Sequence, residues 1–479
     1  MTGRKSEPRI TPELIRGGGS WRILFGITIS YLLWFSACTP EEEVFTDEAV
    51  QLQFDEDTIH FDTLFTSQGS TSEWLTIYNP NRNAVTISEI ALGHRTISPY
   101  TLFLNGVSGQ QFEDIRVLGN DSLLVFVEVL IDPQDQDLPF LVKDSLTFRV
   151  NGNQQDVKLI AWGQDAQFHR GWVISQDTTL RGDRPFVIQD SLWIEPDVTV
   201  KVDSGAQFFF DNNAFALVRG TLQTEGTLTA PVVFRNVRTD GLYENGFGQW
   251  DGMTFTTTSR NNILRYTHVR NAINGIVINT PDADTIPDLI LANSIIENMA
   301  GYGLLAVGSD IDAYNTLIYR CILGLTYNLG NGYYRYRHCT FENGSTPRSI
   351  PIAREEEWYS LAFAEALPEQ LANAEVSNQP FYAELTNSIL WGNLDDELIL
   401  SISSEGSTVS LNNNLLKYTD TTILGNIFNE DPLFIDPIIA QYQLDTLSPA
   451  INQGIKTSIL TDLNGAKRDD QPDLGAYEY

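Results

Sequence analysis

The sequence predicts an all-β protein: an N-terminal β-sandwich followed by a right-handed parallel β-helix with a short helical insertion. Two observations carry this. Short runs rich in β-branched and aromatic residues recur along the chain, each closed by Asn, Gly or Pro turns. From residue 266 onward a six-residue pattern repeats at intervals close to the length of one solenoid coil.

The chain opens on Arg4, Lys5, Arg9, Arg16 and Arg22, then an apolar run from Ile23 to Ala37 that ends at Cys38. Fifteen residues are too few to span a bilayer, which takes ~20, and suit the apolar region of a secretory signal. Small residues before a cysteine resemble a lipoprotein signal with a loose lipobox, Phe35 standing where a small aliphatic residue is usual. That resemblance implies cleavage before Cys38, lipidation of Cys38, and a membrane partner reached through acyl chains. The acidic tether Thr39-Pro40-Glu41-Glu42-Glu43 resembles the export signals of surface lipoproteins, which implies an outer-membrane protein displayed on the cell surface.

Removing residues 1–37 takes away five basic and two acidic residues. The whole chain's 30 and 62 become 25 and 60, a net charge of −35. Such a surface repels phosphate backbones, so nucleic acid is excluded as a partner. With only Cys38, Cys321 and Cys339, an exported body of this size must rest on large apolar cores, not on disulfides.

Residues 50–165 form the predicted sandwich. Strand runs include Trp74–Tyr78, Val85–Ile90, Tyr100–Leu104, Leu123–Ile131, Ser145–Val150 and Val157–Trp162, separated by turns such as Asn105-Gly106 and Asn151-Gly152-Asn153. Leu123–Val129 is almost continuously apolar, as a strand buried on both faces would be. The stretch resembles the immunoglobulin-like modules beside larger bacterial surface domains. Gly163-Gln164-Asp165 marks the expected boundary, and residues 166–479 follow as the β-helix, with its first coils over 187–235.

The repeat aligns Tyr266–Asn271, Asn293–Asn298, Asn315–Arg320, His338–Asn343 and Asn387–Gly392, with a weaker copy at Asn413–Tyr418. Its second column is small (Thr267, Ser294, Thr316, Cys339, Ser388, Asn414) and its fourth apolar (Val269, Ile296, Ile318, Phe341, Leu390, Leu416). Alternate side chains of a strand share a face, so both columns point inward and stack coil on coil. The sixth column holds Asn271, Asn298, Asn343 and Gly392, residues that tolerate the left-handed backbone of a sharp turn. A stacked Asn turn resembles the pectate-lyase-like superfamily.

The 49-residue step between the last two strong copies is one coil plus an insertion, or two coils. Trp358, Leu361, Ala362 and Glu365 lie at helical spacing, which predicts a helix over 352–366, and Pro368 is placed to open a second one. The insertion, near 351–375, is either a binding face or a lid. The C-terminal run from Asp431-Pro432 to Tyr477-Glu478 resembles the closing segment of exported β-helix proteins and is expected to cap the last coil.

The fifth column should face outward: Arg270, Glu297, Tyr319, Glu342, Trp391 and Lys417. Aromatic rings beside charges suit a glycan, the rings stacking on pyranose faces and the charges bonding hydroxyls. An ordinary solvated face explains the same residues. Glu297 and Glu342 fall two coils apart, roughly 10 Å, too far for a retaining glycosidase pair and marginal for an inverting one. The pectate-lyase-like resemblance implies a basic residue as proton acceptor, with Arg270, Arg320, Arg335 and Arg337 as candidates. It also implies a Ca²⁺ site, for which Asp310 and Asp312, or Asp395, Asp396 and Glu397, offer oxygens. Cys321 and Cys339 are expected to be buried free thiols. The expected function is a lipid-anchored protein whose β-helix binds a polysaccharide or an envelope protein without catalysis. The alternatives are a polysaccharide lyase or inverting hydrolase, and a structural subunit of an envelope complex.

Overall fold

The computed structural model describes residues 42–282, 284, 286–344 and 359–479. Cys38, the signal segment and residues 352–358 of the expected helix lie outside them.

The chain divides into two compact units. In the N-terminal part, one sheet orders strands Gln53–Phe54, Glu73–Tyr78, Ser122–Val129, Tyr100–Leu104 and Val107–Gly109. A second orders Thr58–Phe65, Asn153–Gln164, Phe140–Val150, Val85–Leu92 and Gln111–Val117. The pairing is antiparallel wherever its register is described. Leu75, Ile77, Leu102, Val125 and Val127 of the first sheet are buried, as are Ile87, Ile90, Leu146, Phe148, Val157 and Leu159 of the second. The run Leu123–Val129 is indeed the central strand of its sheet, but it is not buried on both faces. Its burial alternates, and Leu124 and Phe126 face solvent. An apolar run marks a strand without saying that both faces are covered.

The rest of the chain is a parallel β-helix of three long sheets. One coil contributes a strand to each in turn. Ile295–Met299 enters the first sheet, Tyr302–Val307 the second and Ile311–Tyr314 the third; Leu317–Cys321 then returns to the first, one rung on. The expected columns are real. Val269, Ile296, Ile318, Phe341, Leu390 and Leu416 pair in unbroken register and are fully buried. The small second column forms a polar ladder in which Ser294 Oγ accepts from Thr267 N (3.0 Å) and Ser388 Oγ from Cys339 N (3.0 Å). Both hydroxyls in turn donate to backbone carbonyls, so neither enters the core unsatisfied. Cys321 and Cys339 are buried free thiols, and burial pushes Cys339 up to about 12.

The left-handed turn lies on both sides of the strand, not only in the sixth column. Asn271, Asn298 and Arg320 have φ of 67°, 60° and 52°, whereas Asn343 and Gly392 of the same column do not adopt the left-handed conformation. Every member of the first column is also left-handed: Tyr266, Asn293, Asn315, His338, Asn387 and Asn413, with φ from 45° to 53°. Asn tolerates this conformation through local hydrogen bonding, which explains its recurrence there.

One open alternative is resolved and one expectation needs correction. Thr340 pairs directly with Ile389, so the 49-residue step is a single coil with an insertion. Within it Leu361–Ala364 is a strand of the second sheet, not helix. It pairs with Gly324–Leu329 on one side and Leu398–Ser401 on the other, and Leu361 and Phe363 join the core. Ladder hydrogen bonds on both sides and core burial override a short helical pattern. Pro368 does open a helical turn, but only the three-residue 3₁₀ turn Glu369–Leu371.

Candidate functional site

The fifth column stacks as expected: Arg270, Glu297, Tyr319, Glu342 and Trp391 pair rung upon rung. Lys417 completes it, its Nζ 5.1 Å from the Trp391 ring. It is not an open surface. Glu297, Tyr319 and Glu342 retain 5%, 5% and 3% exposure, because the C-terminal segment lies over them. Tyr442 and Tyr477 pack with Leu317 and Tyr319, while Leu444, Ala450 and Leu474 pack with Ile389 and Leu415 beside Trp391. The segment therefore does more than cap the last coil. It runs back along the solenoid, meeting the first-column turns in reverse order. Asn413 donates to Gln453 O (3.0 Å), Asn387 to Ile455 O (2.7 Å) and Asn315 to Thr461 O (2.7 Å).

Under this cover the charges are mutually satisfied. Glu297 lies 2.7 Å from His268 Nε2 and 3.1 Å from Arg270 Nε, and accepts from the Tyr319 hydroxyl. Burial pushes its carboxyl up, but His268, Arg270 and Tyr319 outweigh burial and hold it at about 2. A carboxylate ionised at every physiological pH cannot act as a general acid. Glu342 accepts from Tyr442 OH (3.0 Å) and from Gly344 N (2.7 Å). Arg320 donates to the Pro437 and Ile438 carbonyls.

The other candidates separate in space. Asp312 receives Arg335 (Nη2 2.6 Å, Nε 3.1 Å) and Arg337 (2.7 Å), so it is neutralised and is not placed to hold a metal. The same contact raises Arg335 above the ordinary guanidinium value, which removes it as a base. Glu397 is fully buried and accepts from Leu394 N and the Ser360 hydroxyl, while Asp396 accepts from Thr419. Among the described residues one group of acids converges at metal-binding distance: Asp282, Asp284 and Asp310. Of the sequence candidates for calcium, only Asp310 belongs to it.

Sequence reasoning missed a surface on the third sheet. Asp312, Arg335 and Glu384 stack in register, flanked on one side by Tyr333 over Tyr382 and on the other by Tyr314 over Arg337. The Tyr333 and Tyr382 rings are parallel at 4.4 Å. Arg335 sits over Tyr333 and Arg337 over Tyr314. Except for Asp312, all of these side chains reach solvent. The signal was the alternation in Tyr333-Tyr334-Arg335-Tyr336-Arg337, whose even members are buried and whose odd members face out. The outer face of the second sheet is partly covered, since Leu367, Leu371 and Ala374 of the insertion pack on Leu305, Val307 and Leu329.

No family model matches the sequence, and no curated protein matches it. Solved structures match in part. A PapD-like domain of human CEP192 is 11% identical, over 27% of this chain and 94% of that one. A family 123 glycoside hydrolase from Clostridium perfringens is 8% identical, over 24% and 25%. The VesB protease of Vibrio cholerae is 14% identical, over 28% and 34%. Each has a TM-score of 0.17.

Proposed function

We propose that the protein is an outer-membrane lipoprotein, anchored through Cys38 and displayed at the cell surface, whose pectate-lyase-like β-helix binds a glycan without catalysis. The observation that carries this reading is the third-sheet face of Tyr314, Tyr333, Arg335, Arg337, Tyr382 and Glu384. It offers hydroxyl, guanidinium and carboxylate groups side by side, the donors and acceptors that sugar hydroxyls require. Three successive rungs, ~4.8 Å apart, each contribute to the face, so a linear polysaccharide lying along the axis would meet polar or aromatic groups on every one. The non-catalytic part rests on Glu297 and Glu342, whose carboxyls are engaged beneath the chain's own C-terminal segment.

The test is retention of the detergent-solubilised full chain on immobilised polysaccharides, with assay for products. Tyr382→Ala should weaken retention on the bound glycan about tenfold, or ~1.4 kcal/mol. Unsaturated uronates or new reducing ends would overturn the non-catalytic reading. Palmitate labelling lost in Cys38→Ala, with protease shaving of whole cells, checks the anchor and the display.

One observation favours a second reading, a subunit of an envelope complex. On the outer face of the N-terminal sheet Trp74 pairs with Phe126, and Phe126 with Phe103, with Leu124 alongside. Trp74 is 57% exposed. A contiguous apolar stripe of this kind suits a protein partner. Recovery of the protein alone after crosslinking and pull-down would count against it.

A further inference from the structure

We propose a calcium site at the turn between the second and third sheets, held by Asp282, Asp284 and Asp310. Their carboxylate oxygens lie within 4.8 Å of one another, although Asp310 belongs to the next coil. Asp282 and Asp284 sit on the loop that follows strand Ile276–Ile278, and Asp310 immediately precedes strand Ile311–Tyr314.

Asp310 supplies the decisive observation. It is 3% exposed, and its Oδ1 accepts from Tyr333 N at 2.8 Å. Among the described residues, its Oδ2 is buried without a hydrogen-bond partner. A buried carboxylate oxygen left unpaired among other carboxylates is strongly disfavoured unless a cation meets it. Asp288 deepens the negative field. Its Oδ2 accepts from Asp310 N (3.0 Å), and its Oδ1 lies 3.7 Å from Arg260 Nε. Arg260 also reaches Asp282 at 3.2 Å, so one guanidinium is shared by two of the four carboxyls.

Ca²⁺ fits this set better than softer metals. Every donor is a carboxylate oxygen, and an exposed loop donor such as Asp284 leaves room for the waters that complete six to eight ligands. The ion would bind the loop of one coil to the start of the third-sheet strand of the next. The inference does not depend on the glycan reading.

Calorimetric titration and thermal melts of the full chain in detergent, stripped with EDTA and then given CaCl₂ or MgCl₂, decide the matter. The expected result is one Ca²⁺ per chain with a Kd of order 10⁻⁴–10⁻³ M, the range of extracellular modules, and a saturable rise in Tm. Asp310→Asn should abolish the calcium response and, by removing the buried charge, raise the Tm in EDTA. Asp284→Asn, at an exposed position that does not threaten folding, should weaken binding at least tenfold. No calcium response in the wild type, an undiminished response in Asp284→Asn, or an equal response to Mg²⁺ would each overturn the assignment.

Discussion

Replacing Tyr442 by alanine should detach the C-terminal segment from the first sheet. The side chain is almost fully buried, its ring 4.9 Å from Tyr319 and 5.3 Å from Phe434, and its hydroxyl donates to Glu342 Oε2 at 3.0 Å. Large-to-small substitution of a buried aromatic costs about 3–5 kcal/mol. Taking a donor from a buried carboxylate adds about 1–3 kcal/mol. The expected loss is therefore about 4–8 kcal/mol, and Tyr442→Phe, which keeps the ring, should lose only about 1–3 kcal/mol. In a body of this size each kcal/mol moves Tm by roughly 1–2 °C, so calorimetry should show a fall of about 4–16 °C for the alanine variant. Solenoids open locally as well as globally, so limited proteolysis with mass spectrometry should also find new cuts within residues 431–479. If Tyr442→Ala melts within about 1 °C of wild type and gains no cuts there, the segment does not cover Glu297, Tyr319 and Glu342 in solution. The argument against catalysis at that column would then fall.

Two further outcomes test the core and the turns. Ile318→Ala removes the centre of a stacked apolar column and should cost about 2–5 kcal/mol by denaturant unfolding; a loss below 1 kcal/mol would contradict the stack. His338 is buried, its Nε2 accepting from Asn387 Nδ2, and burial with the charges of Arg468 and Arg337 holds it down at about 3. Because the folded value lies below the unfolded one, its contribution is complete above pH 6.5 and is lost as pH falls, at most about 1.4 kcal/mol per pH unit down to pH 3. His338→Gln should show a shallower loss of stability between pH 6.5 and 4 than wild type, and parallel profiles would refute the assignment.

What was legible in the sequence is what depends on neighbours along one strand. Ile296, Ile318 and Leu390 announce an inward column because period-two alternation and the coil repeat each fix which way a side chain faces. What lies over an outward side chain is a separate matter. Tyr442 is a hundred residues from Glu342, and no local pattern links them, so the fifth column read as open. The same blindness worked in reverse for Leu124 and Phe126, whose apolar run suggested a covered strand. At 361–364, Leu-Ala-Phe-Ala suits helix or strand, and the hydrogen bonds offered by the rungs on either side decide it. The acid cluster was half visible. Asp282, Asp284 and Asp288 stand together in the chain, but Asp310 joins them only because one coil returns it beside them. Asp312, two residues later, turns to Arg335 and Arg337 instead.

The distribution of cover bears on function. A solenoid has three outer faces, and here the first sheet carries the C-terminal segment and the second carries part of the insertion. Each cover is anchored at polar points on the turns: Asn387 and Asn315 beneath the C-terminal segment, Asn279 and Asn331 beneath the insertion. Such anchoring fixes a segment in place, which suits a permanent wall better than a lid. The third-sheet face combines paired charges with aromatic rings at the surface, and the acid cluster adjoins it, since Tyr333 N bonds Asp310. An ion there would stiffen the edge from which Tyr333 and Tyr382 project, lowering the ordering cost of any ligand that meets them. Recognition along this face and calcium at its border would thus be separable in experiment but physically cooperative. Calcium should tighten glycan retention in wild type and leave it unchanged in Asp310→Asn.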